Sequence, residues 1–150
     1  MKTFNFKKIK ESHLSQLVSL WNQGSNVLTS SGFLMTQEKV ELGFKEKMFE
    51  YFGLFEKEKL IGFMLLKKEK NELLIKHLLV DKAFRRKGLG KRLIEKAFSI
   101  AKKNKMKIKT EVLIGNKDAL LFFEKLGFKK VGVNRKESHY ILEKTNFKIY

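Results

Sequence analysis

A mixed α/β sheet covered by helices is the fold this sequence predicts, and three observations carry it. Apolar residues alternate at period two in seven short segments and recur at helical period in four others, in the order β-α-α-β-β-β-α-β-α-β-β. The period switches sharply after Gly88, from strand to helix. No repeat, low-complexity linker or composition break interrupts the 150 residues, so one domain spanning 1–150 is the economical reading, long enough to bury a core.

The elements follow in order. Phe4 and Phe6 alternate with polar residues, which marks a strand over 3–9. Leu14, Leu17, Val18 and Trp21 share one helical face over 12–22, with Ser12 as the N-cap. The stretch 24–32, rich in Ser, Asn and Thr, reads as a loop. Thr36 opens a second helix to about residue 49, with Val40, Phe44 and Met48 on one face. Strands at 51–56 and 60–67 flank the hairpin-sized Lys57-Glu58-Lys59. Asn71 turns the chain into a strand over 73–80. Leu89, Leu93, Ile94, Ala97, Phe98 and Ala101 form a helical stripe to Lys103. A strand at 106–113, a short helix at 117–126 and strands at 128–133 and 138–143 complete the order.

Composition excludes several functions. At 43% hydrophobic and 12% aromatic the chain is globular rather than disordered. No apolar run approaches the roughly 20 residues that cross a bilayer, so no membrane partner is expected. The first six residues alternate like a strand and hold no signal-peptide core, which points to the cytoplasm. Cysteine is absent, which removes disulfides, thiolate nucleophiles and cysteine zinc sites. The three histidines, His13, His77 and His139, are widely spaced, and no metal is expected.

The net charge is +17, which suggests nucleic acid. The charge is almost all lysine spread along the chain, so a nucleic acid is not expected as the main partner. Two of the four arginines, Arg85 and Arg86, are adjacent, and that clustering says more than the total.

The chemistry concentrates in Leu78-Leu79-Val80-Asp81-Lys82-Ala83-Phe84-Arg85-Arg86-Lys87-Gly88-Leu89-Gly90-Lys91. A strand ends, a basic loop follows and two glycines open a helix. The first helical turn has unpaired N–H groups and a partial positive charge. Glycines let those amides approach an anion, and Arg85, Arg86, Lys87 and Lys91 add formal charge. A pyrophosphate cradle and an ordinary helix start with a solvated basic rim both fit a bare Gly-x-Gly. Neither the third glycine of a dinucleotide fingerprint nor a Gly-x-x-x-x-Gly-Lys-Ser/Thr loop is present.

Arg85-x-x-Gly88-x-Gly90, after the strand ending Leu78-x-Val80, resembles the Arg/Gln-x-x-Gly-x-Gly/Ala acyl-CoA signature of the GNAT superfamily of N-acetyltransferases. Asn116-Lys117-Asp118-Ala119 followed by Phe122-Phe123-Glu124-Lys125-Leu126-Gly127-Phe128 resembles the same family's downstream motif, at the family's spacing. The clear resemblance covers about residues 60–133.

The resemblance implies a GNAT-like acyl-CoA N-acyltransferase fold: a mixed, mostly antiparallel central sheet with helices on both faces. It implies acetyl-CoA as co-substrate, no metal, and an amine-bearing small molecule or peptide as acceptor. Amides from Arg86 through Lys87, Gly88 and Leu89 to Gly90, with Arg85 and Lys91, would hold the CoA pyrophosphate. The backbone of Leu78, Leu79 and Val80 would pair with the pantetheine arm, and the Leu78 amide would face the thioester oxygen. Asn116 would contact the cofactor arm or simply cap its helix. A gap between residues 78–80 and 112–114 is expected, because a ligand arm needs free backbone groups.

Two departures stand out. Phe123 occupies the place of a frequent tyrosine acid, and Leu74 that of a frequent glutamate base. Glu72, His77, Glu111 and Tyr140 are the candidate acids and bases in their stead. Two rival readings remain: a GNAT-like module that binds CoA without catalysis, and a basic RNA- or ribosome-associated protein. A monomer or a homodimer fits either enzyme reading.

Overall fold

Residues 3–23 and 34–145 are described by a computed structural model; the loop expected at 24–32 lies outside them. The elements are β1 (Phe4–Lys8), a 3₁₀ turn (Glu11–His13), α1 (Leu14–Gln23), α2 (Gln37–Lys45), β2 (Glu50–Glu56), β3 (Lys59–Glu69) and β4 (Glu72–Val80). A second 3₁₀ turn (Lys82–Phe84), α3 (Leu89–Lys103), β5 (Lys107–Leu113), α4 (Lys117–Lys125), β6 (Lys129–Asn134) and β7 (His139–Lys144) follow. The order is the one the apolar periods predict.

All seven strands form one sheet in the order β1-β2-β3-β4-β5-β7-β6. Every neighbouring pair is antiparallel except β4 and β5, which are parallel and joined through α3, as a parallel connection requires. One face of the sheet packs Leu73, Ile75, Ile108, Val112 and Leu142 against Leu93, Ile94, Ala97 and Ala101 of α3 and Phe123 of α4. The other packs Phe55, Phe63, Leu65 and Leu79 against Leu14, Leu17, Leu20 and Trp21 of α1 and Val40 of α2. The stripes that define α1 and α3 in the sequence are therefore their buried sides, worth about 1.5–3 kcal/mol for each large side chain taken out of water.

Two helix ends differ from the sequence reading. Ser12 is not the cap of α1, because it lies inside the 3₁₀ turn that precedes the helix. There the His13 Nδ1 accepts the Lys10 N–H at 2.9 Å. The helix opened by Thr36, whose hydroxyl accepts the Lys39 N–H, stops at Lys45. Lys47 adopts φ 54° and the Met48 N–H donates back to the Gly43 carbonyl, a left-handed termination. Met48 is consequently 52% exposed and does not share the buried face of Val40.

Two irregularities in the sheet create its central feature. In β4, His77 pairs with Leu65 and Ile75 with Leu66, so Lys76 is an extra, bulged residue. The bulge shifts the alternation: Leu73 and Ile75 join the α3 core, whereas Leu79 joins the α1 core. Beyond the bulge β4 also leaves its parallel neighbour. The β4–β5 register runs from Glu72↔Lys107 to Ile75↔Thr110 and ends there, closed by the Thr110 hydroxyl donating to the Ile75 carbonyl at 3.1 Å. The strands part over the segment where the sequence predicts a gap.

Candidate active site at the parted strands

The gap between β4 and β5 opens into a cavity of about 730 Å³, in the size range of small-molecule sites. Its orientation follows from backbone polarity. Along an antiparallel strand, successive peptide groups point to opposite sides. The Asp81 N–H donates to the Ile61 carbonyl of β3 at 2.8 Å. Leu79 and His77, at the same phase, therefore turn their N–H and C=O toward β3. Leu78 and Val80 turn theirs toward the gap. The Val80 carbonyl is already engaged by the Arg85 Nε at 3.0 Å, which folds the basic loop back onto the strand end.

At the end of that strand the chain makes a basic turn into α3. Asp81 caps the second 3₁₀ turn by accepting the Ala83 N–H at 3.0 Å, and Lys87 lies over the Phe84 ring at 5.5 Å. Gly88 then caps α3 in the left-handed conformation, φ 73°, ψ 14°, which costs glycine little and other residues more. The Arg92 N–H is the first to find the helical partner, the Gly88 carbonyl at 3.1 Å. By helix geometry the amides of Leu89, Gly90 and Lys91 are left facing outward. A methyl group placed on Gly88 would meet no atom within 4 Å, so open space adjoins the start of the helix. Arg85, Arg86, Lys87 and Lys91 are all exposed around it. This free, positively polarised turn fits a pyrophosphate. Gly90 has a different reason: a Cβ there would stand 3.3 Å from the Phe122 ring of α4, so the glycine lets the two helices close on the gap.

The α4 side of the cavity is lined by Asn116, Ala119, Phe122 and Phe123. The Asn116 Oδ1 accepts the Ala119 N–H at 3.1 Å, so Asn116 does cap α4 while lining the cavity. Phe123 is buried edge-on to Phe122 and Phe128, and lines the cavity as well.

The opposite mouth gathers carboxylates, with Lys76 and Lys109 among them. Ile108, Thr110 and Val112 are buried on the α3 side, so alternation puts Lys109, Glu111 and Leu113 on the other face of β5. Glu69, Glu72, Glu111 and Glu137, four of the 16 acidic residues of a chain with net charge +17, line this cavity.

The sequence candidates for acid and base separate clearly. Glu72 sits six residues before Leu78 on β4, some ~20 Å at strand spacing. Its two oxygens are held by Lys107 at 3.3 Å and Lys109 at 3.7 Å. His77 packs against Trp21 with centroids 4.4 Å apart and the rings tilted by 52°, and burial, with Lys76 assisting, pushes its pKa down to about 4. Tyr140 packs toward the α3 core under the Lys130 ammonium, 4.1 Å from its ring, and is not among the cavity-lining residues. Glu111 does line the cavity, where its Oε1 accepts from the Asn134 Nδ2 at 3.1 Å and lies 3.4 Å from the His139 Nδ1. His139 was not a sequence candidate. Its only sequence signal is that it begins the last strand, which carries no information until that strand is known to pair with β5.

Comparison with known proteins follows this geometry. Residues 13–128 match the family model described as the acetyltransferase (GNAT) family. Among solved structures the fold resembles the PaiA N-acetyltransferase of Thermoplasma acidophilum in complex with coenzyme A, at 24% identity, TM-score 0.76, covering 95% of this chain and 98% of that one. It also resembles the ribosomal-protein-S18-alanine N-acetyltransferase of Escherichia coli, at 18% identity, TM-score 0.72, covering 94% and 91%. A putative acetyltransferase of Acinetobacter baylyi ADP1 superposes with TM-score 0.81 at 17% identity, covering 97% and 94%.

Proposed function

The chain belongs to the GNAT acetyltransferase family, and we propose that it moves the acetyl group of acetyl-CoA onto a primary amine of a small molecule or peptide by direct attack on the thioester. The observation that carries the reading is the parting of β4 from β5, which turns the Leu78 peptide group toward the cavity on the strand that leads into the glycine-capped start of α3.

The donor supplies an electrophilic thioester carbonyl. Leu89, Gly90 and Lys91 amides, with Arg85 and Arg86, hold its pyrophosphate at the positive end of α3. The free edge of β4 from Leu78 to Val80 aligns the pantetheine arm by backbone hydrogen bonds, with Asn116 and Phe123 as the facing wall. The Leu78 N–H stabilises the negative charge that develops on the carbonyl oxygen during attack, a role in which one donor is worth about 10²–10³ in rate. Holding the amine and the carbonyl together supplies much of the remaining barrier reduction. An ammonium with a pKa near ~10 must first lose a proton, so a base is needed on the acceptor side. The carboxylates at that mouth suit the approach of an ammonium, and the acceptor comes from the face of β5 opposite the donor.

The test has two stages. Acetyl-CoA raises the melting temperature of the protein, since a ligand of the native state stabilises it by mass action, about 2.7 kcal/mol at one hundred times Kd. CoA release is then followed across amino acids, polyamines, aminoglycosides and peptide N-termini. Stabilisation without release on any amine supports a CoA-binding module instead; no stabilisation removes the cofactor assignment.

A further inference from the structure

Glu111, Asn134 and His139 come from three different strands, β5, β6 and β7, and meet at the acceptor mouth of the cavity. The Glu111 Oε1 is the shared point, 3.1 Å from the Asn134 Nδ2 and 3.4 Å from the His139 Nδ1. The Asn134 Oδ1 in turn accepts the Glu137 N–H at 3.2 Å, which ties the β6–β7 turn to the same cluster. The His139 side chain is 20% exposed and that of Glu111 35%, so both are accessible yet partly held. Both line the cavity, as does Leu78. Among the described residues nothing pairs with the His139 Nε2.

A carboxylate 3.4 Å from one ring nitrogen, on a histidine that lines the cavity and has its other nitrogen unpaired, is the arrangement an oriented base requires. The alternatives are spoken for. Glu72 is bridged by two lysines, His77 is packed against Trp21, and Phe123 has no ionisable group. The charged and titratable groups that share the cavity with the imidazole are Glu111 and Lys109 on β5, Glu137 in the β6–β7 turn, Glu69 on β3, and Glu72, Lys76 and His77 on β4.

We propose that His139 is the general base of the transfer, with Glu111, itself held by Asn134, as its positioning residue. The proposal rests on the acetyltransferase reading. The Glu111 carboxylate keeps the neutral imidazole protonated at Nδ1, which leaves the Nε2 lone pair as acceptor. Nε2 removes one proton from the acceptor ammonium, and the freed amine forms the C–N bond as the C–S bond breaks. The second amine proton passes through water to the departing CoA thiolate, because Phe123 supplies none. The proton on His139 returns to solvent through the open mouth, so one ammonium and one acetyl-CoA give one amide, one CoA thiol and one proton. The 3.4 Å separation belongs to the free site, where catalytic hydrogen bonds are often longer than in the loaded one.

The experiment uses the full chain with acetyl-CoA and three probe acceptors: n-butylamine, spermidine and an alanine-initiated peptide. His139→Gln, His139→Ala, Glu111→Ala and the double alanine variant are compared after each is shown to fold and to bind acetyl-CoA like the parent. Loss of His139 is expected to lower kcat by about 100-fold or more, the usual span of general base catalysis, with the KM for acetyl-CoA unchanged. Added imidazole restores part of the rate in His139→Ala only. The double variant falls no further than His139→Ala, as residues acting as a unit do. Nitrogen-15 NMR, which needs to resolve only the imidazoles of His13, His77 and His139, shows the Nδ1–H tautomer at His139 and its loss in Glu111→Ala. A kcat within threefold of the parent in His139→Gln overturns the proposal while leaving the acetyltransferase reading intact. A parent that binds acetyl-CoA but acetylates none of the probes overturns both.

Discussion

His77 and His139 carry the same side chain two strands apart in the sheet, and their surroundings give them opposite work. His77 is packed on Trp21, and burial pushes its pKa from 6.5 down to about 4. Its unfolded form therefore binds a proton between those two values while its folded form does not. Stability from this group is complete above the unfolded pKa and is lost as pH falls toward 4, by at most roughly 3 kcal/mol. Urea unfolding at pH 7 and pH 4.5 should show a smaller acid loss in His77→Phe than in the parent; equal losses would mean that His77 is not the group responsible. Phe123 poses the other residue-scale question. It is only 6% exposed but borders the cavity, so a Phe123→Tyr hydroxyl has the cavity to reach into. Turnover should be unchanged or raised, by no more than about 100-fold, because a thiolate leaves readily without an acid. A loss beyond about tenfold at unchanged acetyl-CoA affinity would show instead that Phe123 packs against the acetyl group or the acceptor.

The start of α3 shows why two glycines in one motif are not interchangeable. Gly88 is needed for its φ of 73°, and space in front of it is open. Gly88→Ala should cost about 1 kcal/mol of stability through the backbone, and Gly88→Val should in addition weaken acetyl-CoA binding by standing before the amides. Gly90 is needed for the approach of Phe122, 3.3 Å from a Cβ placed there. Gly90→Ala gains helix propensity of up to about 1 kcal/mol and loses some of it in displacing the ring, so it should be close to neutral. Gly90→Val overpacks the α3–α4 contact, at a cost of about 1–3 kcal/mol, and moves the cavity wall. Calorimetric titration with acetyl-CoA, set beside melting curves, separates the two effects. If both valine variants bind like the parent, the cradle is not at this helix.

For the molecule as a whole, 33 basic side chains against 16 acidic ones mean self-repulsion that salt relieves. Raising NaCl from 20 to 200 mM shortens the Debye length from about 20 to about 7 Å and should raise the melting temperature of the free protein. The same change should weaken acetyl-CoA binding if its phosphates meet the exposed Arg85, Arg86 and Lys91, as proposed. Opposite salt trends for stability and for affinity are thus expected, and parallel trends would remove the cationic cradle from the account. Binding of single-stranded RNA that falls steeply with salt yet ignores Gly88→Val would instead favour an RNA-associated role for the basic surface.

The sequence by itself determined the element order, the buried faces of α1 and α3 and the strand-to-helix turn at Arg85-x-x-Gly88-x-Gly90. These are local: periodicity and a positive φ are set by residues a few positions apart, and an anion cradle built from consecutive amides needs nothing distant. The parting of β4 from β5 was legible too, but only through the family resemblance. The bulge at Lys76 left no mark in the sequence, since Leu73, Ile75, His77 and Leu79 keep an even spacing while the bulge sends them to different faces. The cluster of Glu111, Asn134 and His139 was hidden for a stronger reason. It exists because β7 inserts between β5 and β6, against chain order. Strand order and register are decided by which distant edges pair and what they bury together, and no local pattern encodes that choice.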